Sequence, residues 1–171
     1  MNIEQEIKSW DGKSSSDILS IYDHHKGHHG FVRKLIELSQ KAEYQTAATW
    51  LLKHYLESDQ NLAANEVKKL FKALSTLKSW ESKLHILQCI PYMSIGRSQK
   101  KDVEAFLRLC LSDSNKFVRA WAYNGFYELA CQHSEYKDEA KLFLAMAMKD
   151  EAPSIKARIR NITKQNPDFN R

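Results

Sequence analysis

The sequence has few residues that break helices or cross-link a chain. Its 171 residues include five glycines, three prolines and three cysteines. Because glycine and proline punctuate helices, their scarcity favours long helical segments. Cys89, Cys110 and Cys131 are odd in number and lack a Cys-x-x-Cys spacing, which argues against a disulfide framework and against a cysteine zinc site.

Long apolar runs and alternating strand patterns are also missing. No apolar run reaches the roughly 18 residues that a membrane-spanning helix needs, and the first ten residues lack the apolar core of a secretion signal. We therefore expect a soluble, cytoplasmic protein with no membrane partner. The 26 basic and 21 acidic residues give a formal charge of +5. That excess suits nucleic acid, an acidic partner or an ordinary helical surface, so charge alone decides nothing.

A helical pattern recurs along the chain. Its apolar residues fall at relative positions 0, 4, 7, 8 and 11, which lie on one face of a helix. The four copies begin at Tyr44, Ser82, Val118 and Ile155, at spacings of 38, 36 and 37 residues. The helices before them repeat as well, with Leu70, Leu107 and Leu144 in one column. Each unit is predicted to be a helix pair that must stack on its neighbours to bury its apolar face.

The pattern predicts nine helices after a short amphipathic piece that ends near Trp10. They are residues 17–25, 29–40, 44–58, 65–77, 80–93, 100–111, 116–132, 136–149 and 153–165. We expect Pro91 to kink the end of its helix, Pro153 to fit a first turn and Pro167 to end the last helix. The predicted organisation is an N-terminal arm or cap at 1–15, a repeat domain at 16–166 and a C-terminal tail at 167–171.

The strongest copy resembles the HEAT repeat at its inter-helix turn and second helix. It runs Asp113-Ser114-Asn115-Lys116-Phe117-Val118-Arg119 and continues through Ala122, Gly125, Phe126 and Leu129. The resemblance implies an all-α fold, an α-solenoid of about four stacked HEAT-like helix pairs. In that family a turn Asp and an Arg six residues later form a ladder of polar contacts. Asp113 with Arg119 and Asp150 with Lys156 match that pattern, whereas Gln45 and Leu77 depart from it in the first two units.

The second helices would line the concave surface, as the resemblance implies, and positions +3, +6 and +10 would then face away from the core. Aromatic rings with hydrogen-bonding edges are enriched at interaction hot spots. The candidate partner-binding residues are Trp50, His54, His85, Gln88, Tyr92, Trp121, Asn124, Glu128, Arg158 and Asn161. This composition predicts a non-catalytic module that binds a protein or peptide. In the alternative interpretation, the two tryptophans cover core, as large aromatics commonly do.

A second function stays open because the predicted groove is also similar to the HEAT-like alkylpurine DNA glycosylases, which cradle duplex DNA and use a carboxylate beside aromatics. Glu128 is the one carboxylate on the predicted face, and Arg158, Arg160 and Lys164 make the last helix basic. Interleaved acidic residues weaken a role in phosphate binding. No Ser-His-acid spacing, glycine-rich phosphate loop or paired-carboxylate motif is evident, so we predict no enzyme activity and no cofactor.

Four histidines cluster at His24, His25, His28 and His29. On a continuous helix they would form i, i+4 pairs able to chelate a metal ion. Gly27 and Gly30 favour a bend that spoils this geometry. We therefore predict no metal site and keep the four histidines as weak candidates, with turn, capping or pH-sensitive roles as the alternative.

Overall fold

The computed structural model describes residues 2–165 and Phe169, and within them the chain is all-helical with no strand. The α-helices are α1 (Ile3–Ser9), α2 (Ser15–His25), α3 (Phe31–Leu38), α4 (Gln45–Glu57), α5 (Ala64–Lys72), α6 (Trp80–Cys89), α7 (Lys100–Leu111), α8 (Lys116–Gln132), α9 (Lys137–Asp150) and α10 (Pro153–Gln165). The all-α prediction is confirmed. The predicted tail at 167–171 and the role of Pro167 lie outside the described residues, apart from Phe169.

Side-chain caps set where several helices begin. The hydroxyls of Ser14 and Ser79 and the side-chain carbonyl of Asn115 accept hydrogen bonds from backbone N–H groups in the first turns of α2, α6 and α8. Such caps are worth about 1 kcal/mol each because the first N–H groups of a helix have no partner within it. The predicted bounds of α7, α8 and α10 are confirmed to the residue.

The helix predicted to continue through Pro91 ends earlier than expected. Helix α6 stops at Cys89, and Ile90–Tyr92 forms a separate 3-10 turn. The predicted kink is therefore wrong in form, because the chain changes helix type instead of bending. Proline has no N–H and its ring collides with the carbonyl four residues back, so an α-helical hydrogen bond cannot pass through it. Helix α5 is likewise shorter than predicted and is followed by a 3-10 turn at Leu74–Thr76.

Contacts divide the chain into two compact units, Met1–Met93 and Ser94–Arg171. In the first unit α3 packs on α4 as a hairpin, α5 packs on α3, and α6 packs on α4. Leu35, Leu51, Leu52 and Ile86 are fully buried there. Burial of each such side chain contributes roughly 1.5–3 kcal/mol, which makes the apolar face of α4 the centre of this unit.

The N-terminal helix α1 packs on α2 in the first unit. Its Ile3 and Ile7 are buried, one helical turn apart on the same face. Two acidic residues of α1 contact other helices. Glu4 pairs with Lys34 on α3, and the Glu6 carboxylate lies close to the histidines of α2.

The second unit has α8 at its centre, as the first has α4. Helix α7 packs on α8, α10 packs on α8, and α9 contacts both α8 and α10. Leu107, Phe126, Leu129 and Ile159 are buried at the centre. In each unit, then, the second helix of one hairpin packs on the helix two places further along the chain: α4 on α6, and α8 on α10.

In the second unit a charged contact joins one hairpin turn to the next. Arg119 donates from Nη1 to the Asp113 carbonyl over 2.9 Å, and from Nε and Nη2 to the two Glu151 carboxylate oxygens over 2.9 and 3.1 Å. The expected contact between Arg119 and Asp113 is present through the Asp113 main-chain carbonyl, and Glu151, in the turn before α10, supplies the carboxylate. Lys156 donates to the Lys149 carbonyl over 2.9 Å.

The first unit has an uncharged counterpart at Gln45. This side chain is only 2% exposed. Its Nε2 donates to the carbonyls of Ser39 and Thr76 over 2.9 and 3.1 Å, and its Oε1 accepts from the Lys78 N–H over 2.7 Å. Gln45 thus reaches six residues back and across to the next turn, as Arg119 does, although the sequence pattern did not predict it.

Candidate functional site

The second unit holds an arginine stacked on a tryptophan. The guanidinium carbon of Arg158, on α10, lies 3.5 Å from the ring centroid of Trp121, on α8. Both side chains are half-buried. Within residues 2–165 and Phe169, the guanidinium makes no hydrogen bond or ion pair, and burial lowers the pKa of Arg158. A desolvated arginine over an indole is a strong cation–π contact that leaves the N–H groups of the guanidinium to be satisfied by something else.

Glu128 lies two helical turns beyond Trp121 on α8. It is half-buried, and desolvation raises the pKa of its carboxyl group. The structure shows no partner for this carboxylate among the residues it describes. Seven residues at a rise of 1.5 Å each place Glu128 roughly 10 Å along the helix from Trp121.

Asn124 does not face outward as predicted. It is 6% exposed, so its expected exposure on a binding face is wrong. Helices α7, α9 and α10 all pack on α8, so a smaller part of its surface is exposed to solvent than on a helix with fewer neighbours. The remaining candidate of this unit, Asn161 on α10, is exposed.

In the first unit three aromatic rings meet along α2 and α4. The Trp50 and His54 rings are stacked, with centroids 5.3 Å apart and an interplanar angle of 16°. His54 also meets Tyr22 edge-to-face at 4.5 Å. A cleft beside His54 and Tyr22 is lined by Lys26, Tyr55 and others. Trp50 and His54 are half-buried, so they both cover core and present an edge to the surface.

His85 performs a packing role. Its Nδ1 lies 3.1 Å from the Thr49 hydroxyl, which itself donates to the Gln45 carbonyl. Burial, reinforced by the nearby charge of Lys53, lowers the pKa of His85 to about 4. A neutral imidazole therefore joins α6 to α4. Further along, Gln88 is half-buried on α6, and Tyr92, 50% exposed, lies in the 3-10 turn beyond its end.

The histidine cluster contacts the N-terminal helix. Helix α2 ends at His25, and Gly30 has a left-handed φ of 82°, so the predicted bend is confirmed and the i, i+4 pairs are not formed on one helix. His25 Nε2 and His24 Nδ1 lie 3.0 and 3.3 Å from the Glu6 carboxylate. His28 Nδ1 lies 3.3 Å from His25 Nδ1.

The pKa of Glu6 reflects these neighbours. Burial raises it, but the hydrogen bonds and charges of His25 and His24 outweigh that effect, so the pKa is lowered overall. No three His, Cys, Asp or Glu side chains in the described part of the chain stand close enough to hold a metal ion. His29 is exposed and lies apart from the Glu6 contacts.

Sequence reasoning missed Tyr22, Thr49 and Glu6, although they touch predicted site residues. Each lies on a different helix from its contact, and helical periodicity predicts which face of a helix is buried, not which neighbour it meets. The clearest available signal was at Glu6, an acidic residue on the amphipathic piece that precedes the histidines.

Among residues 2–165 and Phe169, no helix is both long and apolar enough to cross a membrane. The chain matches no protein-family model, no curated protein and no solved structure. The geometry of the two units therefore carries the functional interpretation by itself.

Proposed function

We propose that this protein is a non-catalytic interaction module that binds a peptide segment of a protein partner on the half-exposed side chains of its second helices. The observation that carries the proposal is the Trp121–Arg158 stack, which combines a flat ring with a guanidinium whose hydrogen-bonding groups have no described partner. Tryptophan and arginine are the side chains most enriched at interface hot spots.

A solenoid of HEAT-like helix pairs is the architecture that we propose for the chain. Support comes from inside each unit, where α4 packs on α6 and α8 packs on α10, and where one side chain spans two turns. Repeat proteins of this type are stabilised by contacts between neighbouring hairpins and use one face of the stack for binding.

Binding is favoured over catalysis by where two strongly shifted titratable groups, His85 and Glu104, lie. His85 joins two helices, and Glu104 accepts hydrogen bonds from Lys101, Arg108 and Tyr136. Catalytic groups are usually tuned by burial at a cleft where substrate can reach them. Both of these groups are engaged in packing contacts, which supports a module that binds without covalent chemistry.

The test is selection from a displayed library of random peptides, each about a dozen residues long, with the full chain as bait. We expect peptides whose binding is lost in the double variant Trp50→Ala, Trp121→Ala but kept in Trp80→Ala, where an exposed tryptophan outside the proposed face is removed. Thermal melting of all variants separates lost folding from lost binding. Failure to enrich any peptide, or equal loss in the control, contradicts the proposal.

A further inference from the structure

We propose that Arg158, stacked on Trp121, is the anchor for one acidic side chain of the bound segment. This inference rests on the proposed function and names the chemistry that its second unit recognises. The ligand group is a carboxylate, and the contact is a charge-assisted, two-pronged hydrogen bond.

The stack sets the direction from which a ligand can approach. At 3.5 Å from the indole centroid, the guanidinium carbon is at van der Waals contact with the ring, so one face of its plane is covered. The N–H donors of arginine lie in that plane and point outward in a fixed fork. The two oxygens of a carboxylate can accept hydrogen bonds from this fork at the edge of the guanidinium. The indole already restricts rotation of the Arg158 side chain, so less conformational entropy is lost on binding.

The electrostatic environment of Arg158 favours an anionic ligand. Its guanidinium is half-buried, and desolvation is the single cause of the lowering of its pKa, with no described carboxylate acting on it. Arg119, by contrast, is held by Glu151 and has a raised pKa. A partly desolvated, unpaired charge lowers the stability of the folded protein when no ligand is bound. A bound carboxylate offsets that loss.

On α7, which packs on α8, three cations are already paired with carboxylates. Lys100 pairs with Glu135, and the carboxylate of Glu104 lies 2.9 and 2.8 Å from Lys101 and Arg108. Nucleic-acid backbones are bound by many unpaired cations along a track. One anchored arginine suits a single acidic residue better than a run of phosphates, so we favour a peptide over a nucleic acid.

Glu128 further restricts which peptides can bind. Its carboxyl group lies on α8 roughly 10 Å from the level of Trp121 and has no described partner. A second acidic group of the ligand at that distance would meet like charge. The expected ligand is therefore a segment with one acidic residue at the Arg158 position and no acid about 10 Å further along α8.

The experiment uses the same displayed peptide library with the full chain. Selected peptides should carry Asp or Glu at one shared position, and fluorescence anisotropy of a selected peptide should show roughly tenfold to hundredfold weaker binding to Arg158→Gln. Arg158→Lys should fall between, since lysine keeps the charge but loses the planar fork. Arg160→Gln is the matched control, because it removes the same charge two residues away from an exposed position on α10.

A reciprocal change needs no variant of the protein. Replacing the shared acid of the peptide by its amide should weaken binding to the wild type as much as Arg158→Gln does, and should have no further effect on that variant. Selected peptides without a shared acid, whose binding is unaffected by Arg158→Gln but lost in the double tryptophan variant, overturn this inference and leave the proposed function standing. Salt-dependent binding of a duplex DNA oligonucleotide that Arg158→Gln abolishes overturns it in favour of nucleic acid.

Discussion

The two units solve one structural problem with different chemistry. In each, a side chain near the start of a second helix bonds a carbonyl six residues earlier and reaches the next turn. Gln45 does so as a neutral amide that is 2% exposed, and Arg119 does so as a cation paired with Glu151, their side chains being 23% and 16% exposed. A fully buried position penalises charge, whereas a partly hydrated one tolerates an ion pair. The two units share the place of this contact at the turn, and they differ in its burial and in its charge.

The largest expected effect is at Gln45. Gln45→Ala leaves the Ser39 and Thr76 carbonyls and the Lys78 N–H without their partner, so we expect a loss of about 3 kcal/mol in the free energy of unfolding. Urea unfolding followed by circular dichroism measures it. Gln60→Ala, at an exposed glutamine, serves as the control and should change little. A loss below that of the control would remove Gln45 from this role.

Arg119→Ala should cost less, about 2 kcal/mol, because water can partly replace the ion pair. The cost should shrink at high salt, which screens charges, whereas the cost of Gln45→Ala should not. A double-mutant cycle with Glu151→Ala gives the coupling energy directly. Equal salt sensitivity in the two units would contradict the distinction between them.

Acid should affect the first unit at a higher pH than the second. The pKa of His85 is about 4 in the folded chain and near 6.5 when unfolded, so the unfolded state takes up the proton first. Stability is then lost as pH falls from about 6.5 towards 4, by about 1–2 kcal/mol between pH 7 and pH 5. Urea midpoints of the wild type and His85→Gln at the two pH values test this, and an equal pH dependence in both would exclude His85 as the cause.

In the second unit, stability is lost over a lower pH range. Hydrogen bonds from Lys101, and also from Tyr136 and Arg108, lower the pKa of Glu104 to about 2 although burial opposes them. Its contribution is present above about pH 4.5 and is lost as pH falls towards 2. Glu104→Gln should cost about 1 kcal/mol at neutral pH, the smallest of these effects, and should flatten the acid limb below pH 4.5 in urea unfolding. A cost unchanged at pH 2 would contradict the assignment.

Periodicity in the sequence predicted most helices and much of the core. The bounds of α7, α8 and α10 and the burial of Phe126 and Ile159 follow from apolar spacing, which reports the buried face of a helix directly. It could not predict that Asn124 is buried, because this depends on how many helices surround α8. Gln45 departs from the charged pattern in the sequence, although its amide can both donate and accept and so fills the same place without charge.

The sequence predicts which residues line the candidate site, but not which of their side chains touch one another. The helical pattern predicts Trp121 and Arg158 on one face, but their stacking depends on the packing of α8 against α10, which a single sequence does not determine. The link from Glu6 to the histidines has the same origin, since it joins helices whose arrangement is set by buried Ile3 and Ile7.

The most direct test of the binding face uses the four tryptophans as reporters. Trp50 and Trp121 lie on the proposed face, whereas Trp10 donates to the Ser14 carbonyl and Trp80 begins α6. Indole N–H resonances, assigned by single substitution, are followed by NMR while a selected peptide is added to the full chain. We expect the Trp121 resonance to shift while those of Trp10 and Trp80 stay in place. Shifts of Trp10 or Trp80, with Trp50 and Trp121 unmoved, would contradict binding on the second helices.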